Sequence, residues 1–276
     1  MNKTIKSILL WLFAFLFTVA IAIYQRKTGP SYPISGSVKI ENATIGYQLI
    51  RTYDGSDDAK VRINVADTAV SGEIRYRRFR SYDSWHTAPM ARAGDTLIAA
   101  IPNQPAAGKV MYHITLIKGS TRYVLNNDPT IIRYKGFVPM FVLIPHIITI
   151  FLAMMFSTLT GVTIIFKGKG AYTYAWWTVV MLLFGGLILG PIVQKYAFDA
   201  YWTGWPFGHD LTDNKSLVAF IFWVIALIVL HKNRENKIWP IVAAIVLLIV
   251  FLIPHSVLGS EIDFTKEQQT ELPADQ

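Results

Sequence analysis

Five nearly unbroken apolar runs and one stretch of short alternating runs divide this chain. The first apolar run, Ser7–Tyr24 (SILLWLFAFLFTVAIAIY), is close to the ~20 residues that cross a bilayer as a helix. Four more follow Gly136: Phe137–Phe166, Tyr172–Gln194, Leu217–Leu230 and Ile238–Ile253, the last extending toward Leu258. The run at Leu217 is short, and its helix is expected to begin at Asp213, because an Asp just ahead of an apolar run makes a good N-cap.

Residues 30–135 follow a different rule. Segments such as SVKIENATIGYQLI, KVRINVA, GEIRYRRFRSY, DTLIAAI and KVMYHITLI alternate apolar with polar positions and are separated by Gly, Asp, Asn and Pro. That is the pattern of half-buried strands. Roughly seven short strands resemble an antiparallel sandwich of the immunoglobulin or fibronectin type III kind, and the lack of cysteine favours the fibronectin-like version. Such an architecture brings no active site with it.

Short basic segments set the orientation. Lys3 and Lys6 precede the first run, and KGKG at 167–170 and HKNRENK at 231–237 join later ones; short basic loops stay in the cytoplasm. The expected fold is therefore an α+β membrane protein: five transmembrane helices, with one extracytoplasmic all-β sandwich inserted between helices 1 and 2. The expected divisions are an N-terminal anchor (1–29), the sandwich (30–135), a four-helix membrane domain (136–258) with an outer loop at 195–216, and a polar tail (259–276). "AIA" at 20–22 resembles a signal-cleavage site, but the apolar run exceeds the roughly 7–15 residues of a signal core, so an uncleaved anchor is favoured. A bacterial inner membrane, with the N-terminus cytoplasmic and the sandwich and C-terminus periplasmic, suits this layout.

Composition agrees and removes several chemistries. The chain is 53% hydrophobic and 16% charged, with a mean hydropathy of +0.37, too apolar for an ordinary soluble domain. It has no cysteine, so disulfides, thiolate metal sites and cysteine nucleophiles are excluded. The net charge of +8 comes from scattered residues that form no basic helix or arm, and nucleic acid is not an expected partner.

Candidate chemistry centres on a repeated Ile-Pro-His. "LIPHII" at 143–148 and "LIPHSV" at 252–257 fall at the same outer depth when helix length is counted from Lys167 and Lys237 at 1.5 Å per residue. Proline withholds a helical N–H, which frees the carbonyls of Phe141 and Val250 and permits a kink. The outer loop adds His209 and Asp210, and the tail adds Glu261 behind His255. His146, His209 and His255 would hold a divalent transition metal (zinc, copper or iron), with Asp210 or Glu261 as catalytic carboxylates. Alternatively His146 and His255 would be the axial pair of haem b. Taken singly, each Pro-His is better explained as punctuation at a helix end.

Two further signals are weaker. Arg75, Arg77, Arg78 and Arg80 crowd one strand, as a site for anionic headgroups or an acidic partner, or as a guard against edge aggregation. "FGGLILG" at 184–190 would allow close helix contact. The leading functional expectation is a scaffold or sensor that sits in the lipid bilayer and presents the sandwich to an extracytoplasmic protein or small-molecule partner. The alternative is a metal-dependent membrane enzyme or a haem-linked electron-transfer subunit.

Overall fold

The structure is a computed structural model that describes residues 3–254, 259 and 261–266. His255 lies outside the described residues. The chain forms two compact units: Met1–Pro30 with Val138–Ser260, and Ser31–Phe137 with Glu261–Gln276.

The first unit is helical. It comprises α1 (Lys3–Thr28), α2 (Met140–Ile165), α3 (Ala171–Leu182), a π-helical segment (Leu183–Leu189), α4 (Gly190–Phe198), α5 (Leu211–Lys232) and α6 (Ile238–Leu252). Among the described residues four stretches are long and apolar enough to cross a membrane: Thr4–Thr28, Met140–Ile165, Ala171–Phe198 and Leu211–Lys232. The fifth expected span is shorter. Its 15 residues cover roughly 22 Å at 1.5 Å each, against a hydrocarbon core of about 30 Å. Pro254 explains the early stop, because the residue before a proline is pushed out of the helical region, and Ile253 is extended at φ −78°, ψ 113°.

Small residues let these helices approach. Ala153, Ala175, Ala219, Ala226 and Ala243 are buried around Met154, Leu182, Trp223 and Leu247. Large apolar side chains such as Phe141, Ile8 and Ile147 are exposed, as suits a unit solvated by lipid.

The π-helical segment has a local cause. Pro191 has no N–H to offer the carbonyl of Leu187, so the regular ladder cannot continue through it, and Gly190 bonds instead to Gly185 five residues back. Gly185 also packs tightly on α2: a Cβ added there would lie 2.6 Å from Thr149 Oγ1 and 3.0 Å from Ile150. The close contact expected of FGGLILG is present.

Among the described residues the second unit contains eleven strands, more than the roughly seven expected, because β-hairpin edges and two short pairings are not separate in the pattern. β1 (Ile34–Ile40) pairs with β2 (Ala43–Leu49). The largest sheet runs β3 (Thr52–Tyr53), β11 (Thr130–Tyr134), β9 (Lys109–Lys118), β5 (Val70–Arg78), β6 (His86–Pro89), with β10 (Thr121–Val124) also on β9. A three-stranded sheet runs β4 (Ala59–Asn64), β8 (Thr96–Ile101), β7 (Ala91–Ala93). Alternation decides the core. Val61 and Ile63 of β4, Ile74 of β5, Leu97 and Ala99 of β8, Tyr112, Ile114 and Leu116 of β9 and Ile132 of β11 are all buried together. Asn126 closes the polar account in this interior: its Oδ1 accepts the N–H of Ile114, and its amide donates to the carbonyl of Tyr112.

Candidate functional site

Helix ends build the main cavity. The last turn of α1, the second and third turns of α2, the end of α3, the start of α5, the body of α4 and the end of α6 line a cavity of about 230 Å³. Its polar lining includes Gln25, His146, Gln194, Asp210, Asp213, Lys215 and Ser216, and its apolar walls include Ile150, Leu182, Val193, Leu247 and Phe251. These polar residues come from four helices and the turn before α5, and only the packing brings them to one cavity.

His146 is half-buried in the second turn of α2. Its Nδ1 lies 2.9 Å from the carbonyl oxygen of Gly185, the same oxygen that receives Gly190 N–H across the π-helical turn. A carbonyl only accepts, so Nδ1 carries the proton in this contact and the neutral ring presents Nε2 as an acceptor. Pro145, just before it, is inside the helix, and Thr149 Oγ1 donates back to the carbonyls of Pro145 and His146.

The loop after α4 is tied to the start of α5. Asp210 is the N-cap, accepting the N–H of Thr212 at 2.8 Å, which is the role expected for Asp213. The helix accordingly begins at Leu211, two residues before the expected start. Asp213 lies in its first turn and takes the N–H groups of Thr203 and Gly204 at 2.7 and 3.0 Å. Thr203 Oγ1 donates to Asp210 and itself accepts from Gln194 Nε2 at 2.7 Å. Lys215 reaches the other way, donating to the carbonyls of Ile253 at 2.7 Å and Pro254 at 3.4 Å, where a cation meets the negative end of α6.

The expected site residues separate accordingly. His146 and Asp210 meet at the cavity. His209 is exposed and is not part of the lining. Glu261 belongs to the β unit, where its carboxylate pairs with Arg80 at 2.6 Å and with Lys109. Among the described residues no group of three or more His, Asp or Glu side chains is placed to hold a metal ion. Lys215, Gln194 and Gln25 were not singled out from the sequence; a Lys just ahead of the apolar run at Leu217 was the available signal.

The β unit carries a second cluster. Arg75 and Arg77 are two apart on β5, so both project from the face opposite the buried Ile74. The guanidinium carbons of Arg75 and Arg77 lie 4.8 and 5.2 Å from the ring centre of Trp85. Trp85 also packs on His113, which faces Arg75 across the β5–β9 ladder, with centroids 5.4 Å apart. Neighbouring cations are neutralised: Arg78 by Asp83 at 2.7 Å, Arg80 by Glu261, Arg122 by Glu73. Arg75 and Arg77 form no ion pair among the described residues.

Comparison with known proteins finds no family model that matches this chain, no curated protein similar to it and no solved structure similar to it.

Proposed function

We propose that this chain is an integral membrane protein of five membrane helices that displays its β unit, a sandwich of the fibronectin or immunoglobulin kind, outside the membrane as a module for an acidic partner. The observation that carries this reading is the Arg75–Trp85–Arg77 stack. Two guanidinium groups without carboxylate partners are held by an indole face on the outer surface of the largest sheet. A carboxylate-bearing partner gains two charge-assisted hydrogen bonds there without the cost of ordering the arginines, because Trp85 already orders them. The apolar helices supply the anchor. Function as a scaffold or sensor follows from a binding face joined to a membrane unit. The metal and haem readings draw on His146, His209 and His255, and the positions of His146 and His209 give them no comparable support.

The test uses full-length protein in nanodiscs of zwitterionic lipid with a fluorescent hexaglutamate peptide as probe. Binding is expected at low salt, weakening as salt rises, with a loss of roughly tenfold in the Arg75→Ala, Arg77→Ala double variant. Equal binding by the double variant would overturn the assignment. Binding to vesicles containing phosphatidylserine, with none to the peptide, would replace the acidic partner by a lipid surface.

A further inference from the structure

We propose that the cavity of the helical unit is a binding site for a lipid-soluble hydroxylated aromatic of the quinol or phenol class, whose hydroxyl donates to His146 Nε2. The inference is independent of the reading of the β unit.

The cavity is matched in size and polarity to such a ligand. An engineered apolar cavity of about 150 Å³ takes up benzene, so 230 Å³ has space for a ring with several substituents. Its walls of Ile150, Leu182, Val193, Leu247 and Phe251 favour an apolar body. It is enclosed by helices apolar enough to lie in a bilayer, so a ligand that partitions into lipid reaches it at high local concentration.

The hydrogen-bond account then selects the ligand's polar group. Most polar groups of the lining already serve the fold. Asp210 caps α5 and receives Thr203, and Asp213 holds the backbone of Thr203 and Gly204. Lys215 donates to the carbonyls of Ile253 and Pro254, and Ser216 Oγ donates to the carbonyl of Thr212. Gln25 Nε2 donates to the carbonyl of Phe251 at 3.1 Å. His146 differs. Gly185 holds its Nδ1–H, which aligns the ring and leaves Nε2 as a lone-pair acceptor with no partner among the described residues. An acceptor in a mainly apolar cavity is stabilised by a ligand that brings a donor. A quinol or phenol supplies an O–H on a ring of the right size; the corresponding quinone has only acceptors and cannot make this bond.

The experiment is equilibrium binding to the full chain in nanodiscs, anaerobically, with decylubiquinol and decylubiquinone as probes and tryptophan quenching as readout. The quinol is expected to bind on the order of tenfold more tightly than the quinone. His146→Phe keeps a ring but removes the acceptor and is expected to abolish that preference, whereas His146→Gln, which retains an acceptor, restores part of it. Equal affinity for quinol and quinone in the wild type would overturn the proposal, as would a preference unchanged in His146→Phe. Should His146→Phe fail to fold, the wild-type comparison alone decides. No binding of either probe also refutes it. Arg75→Ala, Arg77→Ala is expected to leave quinol binding unchanged, so this site and the acidic-partner site fail or stand separately.

Discussion

His146 Nδ1 and the carbonyl oxygen of Gly185 are 2.9 Å apart, linking the second turn of α2 to the π-helical turn that precedes α4. Each residue depends on an irregularity in its own helix. Pro145 withholds a ladder hydrogen bond beside His146, and Pro191 shifts the ladder so that Gly185 accepts from Gly190. The bond between them aligns the imidazole at the cavity wall.

The glycine in this pair has little tolerance. Gly185→Val would force a side chain into Thr149 and Ile150, so overpacking of about 1–3 kcal/mol is expected, read as a lower unfolding temperature in nanodiscs. Gly186→Ala is the control. Its added Cβ would find its nearest neighbour at 4.0 Å, and stability should change only by the small gain in helix propensity.

Asp213 fastens the loop after α4 through two backbone N–H groups. Asp213→Ala leaves both donors without their carboxylate, at about 1–3 kcal/mol for each that stays dry. Limited proteolysis should then cut at 199–209 much faster than in the wild type, while Asp210→Ala, which removes a cap worth ~1 kcal/mol and the long hydrogen bond from Thr203 Oγ1 but no loop backbone bond, should have the smaller effect. Equal cleavage of wild type and Asp213→Ala would show that the loop is held by other contacts.

Acid sensitivity is expected from the β unit. A hydrogen bond from the Lys118 ammonium, with help from the N–H of Ala69, holds the Asp67 carboxyl below the usual carboxylate range. A folded-state value below the unfolded one means that the contribution is present above the unfolded pKa of about 3.9 and is lost as pH falls through the folded one. Asp67→Asn should therefore lower stability near neutral pH and flatten the acid limb of a pH–melting profile. A mutant curve parallel to the wild type down to acid pH would refute the linkage.

Orientation can be read without background, because the chain has no cysteine. Ser56→Cys in the β unit should react with a membrane-impermeant maleimide in intact bacterial spheroplasts. Lys169→Cys, between α2 and α3, should react only after permeabilisation. The reverse labelling would invert the proposed topology.

Much of the architecture is legible in local pattern. Length of apolar run predicts α1, α2, the α3–α4 stretch and α5, because a helix that satisfies its own backbone in lipid needs no information from distant residues. Period-two alternation marks the β unit for a similar reason: neighbouring side chains on a strand face opposite ways whatever it pairs with. FGGLILG also announces close packing, since absence of a side chain is itself local.

Tertiary structure decided the rest. The two Ile-Pro-His segments are equal as strings, but Pro145 lies inside α2 and Pro254 falls after α6, where Lys215 takes the carbonyls of Ile253 and Pro254. His209 and Asp210 are adjacent in the chain, yet one is exposed and the other lines the cavity, because the N-cap geometry of α5 turns Asp210 inward. Arg75 and Arg77 read alone as a solvated strand face. Their stack on Trp85 depends on the β5–β6 register that sets Tyr76 opposite His86. Local pattern determines which segments become helices and strands. Which side chains meet depends on helix rotation and strand register, which are set by packing between segments far apart in sequence.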